Sequence, residues 1–111
     1  MTTSTHAVYI LNSPVLTSYG EWVFEGPIDV EQARTSLRDG FISAIGHQGT
    51  ADFLSVLLGL TIPTNRVWVE MQPGDRALVV RILERMPEGK VLTNEEMKQI
   101  PYELGIMTRR R

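Results

Sequence analysis

Gly46-His47-Gln48-Gly49-Thr50-Ala51-Asp52-Phe53-Leu54-Ser55-Val56-Leu57-Leu58-Gly59 is the stretch on which the fold of this chain turns. Two glycines flank a histidine at the end of a connector running from Phe41 to Gly49. Thr50 is a residue type that caps helices, and Gly59 supplies a stop after Leu58. Between them Ala51, Phe53, Leu54, Val56, Leu57 and Leu58 cover nearly every side, which predicts a buried helix. A helix buried on most sides needs a sheet or further helices around it, so its neighbours in the sequence must supply them.

Upstream, Ala7 to Asn12 is a short apolar run rich in β-formers and ended by Ser13-Pro14, which reads as a buried strand. Glu21 to Ile28 alternates around Trp22 and Phe24 as a second strand. Asp29 with Gln32 forms a capping box for a helix whose apolar face is Val30, Ala33 and Leu37 and whose stop is Gly40. Downstream, Arg66 to Gln72 alternates, Pro73-Gly74-Asp75 is a turn, and Ala77 to Ile82 is apolar; together they predict a β-hairpin. Arg85 to Lys90 reads as a loop. Thr93 with Glu96 caps a short helix ended by Pro101, and Tyr102 to Met107 reads as a last strand. The pattern is one α+β or mixed α/β domain over residues 1–111, with 1–6 and 108–111 as loose ends.

The composition fits this and removes several functions. A chain of 111 residues with 11 Lys plus Arg, 13 Asp plus Glu and 42% hydrophobic residues has the length for one core. It has no cysteine, hence no disulfide, thiolate zinc site or cysteine nucleophile, and its two histidines cannot close a zinc cage alone. Phe53 to Leu60 is interrupted by Ser55 and Gly59, far short of the ~18 apolar residues a membrane helix needs. The polar start lacks a secretion signal, so the cytoplasm is the expected location. Gly89-Lys90 precedes Val91 and lacks the upstream glycine of a phosphate-binding loop, and no dinucleotide, zincin, serine-hydrolase or EF-hand pattern occurs. Residues 1–64 hold two Arg against six acids, and residues 65–111 nine bases against seven, a mild asymmetry typical of a solvated face.

His47 is left as the notable group. It precedes a helix N-terminus whose amides, expected at Gly49, Thr50, Ala51 and Asp52, favour a phosphate, and Gly46 and Gly49 allow close backbone approach. The other reading is a surface histidine in a tight turn. Arg66, Arg81 and Arg85, with Glu88, either converge on one surface beside this helix, or Arg81 and Arg85 pair with Glu84, Glu88 or Glu70 at the surface, where pairing contributes little.

Tyr9-Ile10-Leu11-Asn12, Ser43-Ala44-Ile45-Gly46-His47 followed by Thr50, Asn65-Arg66-Val67, Pro73-Gly74-Asp75, the run Arg85 to Leu92 and Pro101-Tyr102-Glu103-Leu104-Gly105 together resemble the viral ring nuclease family. These small anti-CRISPR proteins occur in viruses and mobile elements, and the resemblance spans nearly the whole chain. It implies a homodimer with a mixed sheet flanked by helices, binding cyclic tetra-adenylate across the two-fold axis. It also implies that His47 is the catalytic acid, that Arg85 and Glu88 lie at the site on a loop, and that Asn12, Arg66 and Arg81 contact the ligand. Some relatives carry Gln at the position of Arg81. Gly46, Gly49 and Thr50 are the remaining ligand-binding candidates, and no metal or cofactor is expected.

The chemistry is consistent with those residue types. An RNA phosphodiester carries its own nucleophile, the 2′-hydroxyl, so an enzyme need only align it and protonate the leaving 5′-oxygen, to which a placed general acid contributes about 10²- to 10⁴-fold. Arginines suit phosphate oxygens and the crowded oxyanion. Two alternatives remain: a protein that sequesters the cyclic messenger without cleaving it, and a small dimeric DNA-binding regulator. The acidic balance and lack of a basic recognition helix disfavour duplex DNA as a partner, and none is expected.

Overall fold

The computed structural model describes residues 6–83 and 93–111. Its strands are β1 (Val8–Leu11), β2 (Trp22–Ile28), β3 (Ile42–Ser43), β4 (Arg76–Ile82) and β5 (Tyr102–Arg109); its helices are α1 (Val30–Ser36), α2 (Gln48–Leu58) and α3 (Asn94–Lys98). The strands form one mixed sheet in the order β2-β5-β4-β1-β3. β1 runs parallel to β3 and β4, and β5 is antiparallel to β4 and β2. This is the single α+β domain expected from the alternation of strand and helix patterns.

Period-two alternation sorts the two faces of the sheet. Ile10, Leu78, Val80 and Leu104 turn to one side and bury against Ala33 and Leu37 at α1, Ala51, Phe53, Leu54 and Leu58 of α2, and Met97 of α3. Leu11, Ala77, Val79 and Met107 turn to the other side, where the second core is closed by Val69 and Met71 of an extended segment. The described helices therefore stack on one face instead of flanking the sheet on both.

Local signals set the helix ends. Asp29 Oδ1 accepts from the Gln32 N–H at 2.7 Å and Gln32 Oε1 accepts from the Asp29 N–H at 3.0 Å, so the capping box of α1 forms as expected. The helix stops at Ser36, earlier than expected, and Gly40 at φ 111° closes the following turn onto the Leu37 carbonyl. Gly59 ends α2 in the left-handed region at φ 66°. α2 is less enclosed than its composition implies, because Val56 faces outward while Phe53, Leu54 and Leu58 fill the core.

The expected hairpin of residues 66–72 with 77–82 does not form. Residues 66–72 join no strand, and β4 pairs with β1 and β5. Alternation identifies the buried side of this extended segment but not the partner of its backbone. The Met71 N–H goes to the Thr17 hydroxyl at 3.0 Å, and the Met71 carbonyl accepts from the Arg109 guanidinium at 2.6 Å. Side chains thus satisfy groups that a neighbouring strand would otherwise take. Residues 108–111 are likewise no loose end: Arg109 closes β5, Arg110 donates its N–H to the Glu21 carbonyl at 2.7 Å, and the Arg111 carbonyl accepts from the Glu21 N–H at 2.7 Å.

Candidate functional site

The carboxyl ends of the three parallel strands meet at one margin of the sheet. Ser43 of β3 is level with Ile10 of β1, and Ile10 with Leu78 of β4. Asn12, the Gly46-His47 turn and Arg81 therefore come at or beyond the same margin, the position where sheets with parallel strands characteristically hold ligands.

At this margin β3 passes into α2, and the N-cap of α2 is His47 itself, three residues before the expected Thr50. Its Nδ1 accepts the Thr50 N–H at 3.3 Å. Accepting there requires a lone pair on Nδ1, so the neutral ring carries its proton on Nε2, the nitrogen left for a ligand. The buried Thr50 also sets its hydroxyl oxygen 3.4 Å from Nδ1. Because His47 takes the Thr50 amide, and the Ala51 N–H bonds the His47 carbonyl at 3.1 Å, neither is available to an anion. The amides that a helix start leaves over are those of Gln48 and Gly49.

Arg66 is fixed beside this turn. Its Nε donates to the Gly46 carbonyl at 3.1 Å, and a Cβ on residue 46 would lie 3.3 Å from Arg66 Cγ, so glycine there permits the close approach. The strip leading to Arg66 is laced to the His47 turn. The Asn65 N–H donates to the Ile45 carbonyl at 2.8 Å and Asn65 Nδ2 to the Ser43 carbonyl at 2.8 Å, while the Thr64 hydroxyl donates to Gln48 Oε1 at 2.6 Å. Asn65 thus positions the arginine next to it, a role that a polar residue between Pro63 and the alternating run at 66–72 gives little sign of in the sequence.

The remaining candidates fall into three groups. Asn12 follows β1 and lines an open cleft of about 420 Å³ with Ser13, Leu16, Thr17, Val67 and Trp68. Arg81 turns away, its Nη1 2.7 Å from Glu103 Oε1 across the β4–β5 ladder, a surface ion pair whose partner is none of Glu70, Glu84 and Glu88. Arg85 and Glu88 lie outside the described residues. The fold brings together Gly46, His47, Gly49, Thr50 and Arg66, with Asn12 at the adjacent strand end, and it does not bring Arg81 to them. Among the described residues no cluster of three His, Asp or Glu side chains offers a metal site, and no helix is long and apolar enough to cross a membrane.

The sequence and the fold are similar to those of other proteins. The profile of the STIV B116-like family matches residues 8–104. The chain is 37% identical over 104 residues to uncharacterized protein 26 of Sulfolobus islandicus filamentous virus (isolate Iceland/Hveragerdi), with 89% of this chain and 88% of that one covered. It is 34% identical over 105 residues to uncharacterized protein YddF of Bacillus subtilis (strain 168), covering 92% and 96%. The structure of B116 of Sulfolobus turreted icosahedral virus superimposes with a TM-score of 0.75 at 28% identity, covering 93% of this chain and 99% of that one.

Proposed function

This chain belongs to the STIV B116-like family, and we propose that it is a ring nuclease: a homodimer that cleaves cyclic tetra-adenylate without a metal, so silencing type III CRISPR effectors in the cytoplasm of the host cell. The observation that carries this reading is the His47 turn. The imidazole caps α2 through Nδ1, and the Gly46 carbonyl one residue before it holds the Arg66 guanidinium, so a candidate acid and an anion-binding group belong to one turn at a helix start.

In the proposed step the ribose 2′-oxygen forms a bond to phosphorus, and the bond from phosphorus to the 5′-oxygen breaks. The 2′-hydroxyl proton passes to a base or to solvent, and the 5′-oxygen takes a proton from Nε2 of His47. A phosphate near the ring favours the imidazolium that this requires, its attraction reaching about 4 kcal/mol at 4 Å for an effective dielectric near 20, against roughly 0.3 to 1 kcal/mol of opposition from the helix dipole. When Nδ1 becomes protonated, the Thr50 hydroxyl stands as an acceptor in place of the amide donor. Arg66 neutralises the phosphate, and Asn12 has both a donor and an acceptor for an adenine edge or the 2′-hydroxyl. Arg85 and Glu88 are proposed to complete the site, and Arg81 to reach the ligand on leaving Glu103. Four identical nucleotides in a ring have two-fold symmetry, which a two-fold dimer matches with two equivalent histidines.

The test is incubation of the protein with cyclic tri-, tetra- and hexa-adenylate in chelator, read by mass spectrometry. The expected product is linear di-adenylate ending in a 2′,3′-cyclic phosphate, lost in His47→Ala. Binding without turnover by the unaltered protein would instead establish a sequestering protein, and a product ending in a 5′-phosphate would exclude the 2′-hydroxyl as nucleophile.

A further inference from the structure

Trp68 is 92% exposed, an unusual position for the largest apolar side chain, and it stands over the cleft that also contains Asn12. The segment carrying it is extended and joins no strand, yet its position is held from both ends: Asn65 bonds the Ile45 and Ser43 backbone, and the Met71 N–H bonds Thr17. A backbone anchored at both ends therefore displays an uncovered indole. Val67, Val15 and Leu16, all exposed, continue the apolar wall, while Asn12, Ser13 and Thr17 supply polar groups along it. Apolar walls with a few polar groups suit a flat heteroaromatic with hydrogen-bonding edges. The spacing agrees with a nucleotide. Trp68 is two residues after Arg66, about 7 Å along an extended chain, comparable with the separation of a phosphate from its own base. Arg66 can hold the phosphate while Trp68 takes the base.

We propose that Trp68 is a stacking platform for an adenine base of the ligand, setting affinity and base preference without entering the chemistry. The proposal rests on the ring-nuclease reading, which places Arg66 on a phosphate. Stacking on an aromatic side chain contributes enough that its loss weakens binding about ten- to a hundredfold.

The experiment titrates cyclic tetra-adenylate into His47→Ala protein in chelator, followed by isothermal titration calorimetry, with Trp68→Phe and Trp68→Leu added to that background. In the parent, binding is also expected to quench tryptophan emission. Trp68→Phe should bind within about threefold of the parent and Trp68→Leu about ten- to a hundredfold more weakly, while Trp68→Leu on the unaltered chain keeps kcat at saturating ligand within about threefold. Equal binding by the Leu and parent proteins overturns the proposal. So does a loss of dimer mass by light scattering in Trp68→Leu, which would make this side chain a subunit contact. If no cyclic oligoadenylate binds, the ring-nuclease reading fails on its own terms, and adenosine monophosphate against ribose phosphate becomes the calorimetric probe: binding of the first alone, lost in Trp68→Leu and kept in Trp68→Phe, sustains the adenine platform, and any other result ends it.

Discussion

Thr50 holds His47 by two of its atoms: its backbone N–H lies 3.3 Å from the imidazole Nδ1, and its hydroxyl oxygen lies 3.4 Å from the same nitrogen. The ring is therefore a structural cap and a candidate acid at once, and the two roles use different nitrogens. Replacement by alanine removes both. Replacement by asparagine, an effective N-cap, removes only the acid.

His47→Ala is accordingly expected to lower the unfolding free energy by about 1 kcal/mol, and His47→Asn by much less, when both are measured by urea denaturation. Cleavage of cyclic tetra-adenylate should be lost in both. A cleaving His47→Asn protein would show that the imidazole serves only the helix.

The capping signals at Asp29, Gln32, Thr93 and Glu96 were legible because a capping box is a local arrangement within four residues. Ile42–Ser43 forms β3 yet is too short to show an alternating pattern, and only its parallel pairing with Tyr9 and Ile10 makes it a strand. Residues 66–72 mislead for the opposite reason. Their alternation is real, but strand identity depends on where the backbone groups bond, and here they bond to Thr17 and Arg109, 54 and 38 residues away from Met71. Of the site, the sequence marked the Gly46-His47 turn and Arg66. It could not say whether Arg81 would face a ligand or Glu103, since both choices put it on the same strand.

Arg109 illustrates how a terminal basic run can be structural. Its guanidinium donates to the Met71 carbonyl at 2.6 Å and the Tyr19 carbonyl at 3.2 Å, and it lies 5.8 Å from the centre of the Trp22 ring. Arg109→Ala is expected to cost about 1 to 3 kcal/mol in urea denaturation, from two charge-assisted hydrogen bonds and a cation–π contact. Arg110→Ala should stay within about 0.5 kcal/mol, because its hydrogen bond to Glu21 is made by the backbone and survives the change. Equal losses in the two variants would assign the effect to net charge.

Tyr9 gives the fold an alkaline limit. Burial, and secondarily the Asp75 carboxylate, hold its phenol above the ordinary value of 10.0. Between the unfolded and folded values the native state keeps a proton that the unfolded chain has released. This contribution is therefore complete below about pH 10 and is lost as pH rises through the folded value. Urea denaturation should show stability falling above about pH 10, with a shallower decline in Tyr9→Phe. In an alkaline absorbance titration the Tyr9 phenol should ionise above the ordinary value of 10.0, in a step that disappears in Tyr9→Phe. Ionisation of Tyr9 at the ordinary value would remove it as the cause.

Gly46 tests whether Arg66 acts from the place the fold gives it. A methyl group at residue 46 meets Arg66 Cγ at 3.3 Å, close enough to force the arginine stem to shift, while the backbone there is not in the left-handed region and accepts a side chain without strain. Gly46→Ala should therefore change the unfolding free energy by less than about 1 kcal/mol. Its effect on the ligand should be larger, because an arginine displaced by even a fraction of an ångström loses the directional geometry through which guanidinium groups hold phosphate. Binding of cyclic tetra-adenylate by Gly46→Ala is expected to weaken about tenfold, and Arg66→Ala to weaken it further, with little additional loss when the two are combined. Full additivity of the two losses would mean that the glycine acts independently of the arginine, for instance by admitting the phosphate directly to the Gln48 and Gly49 amides.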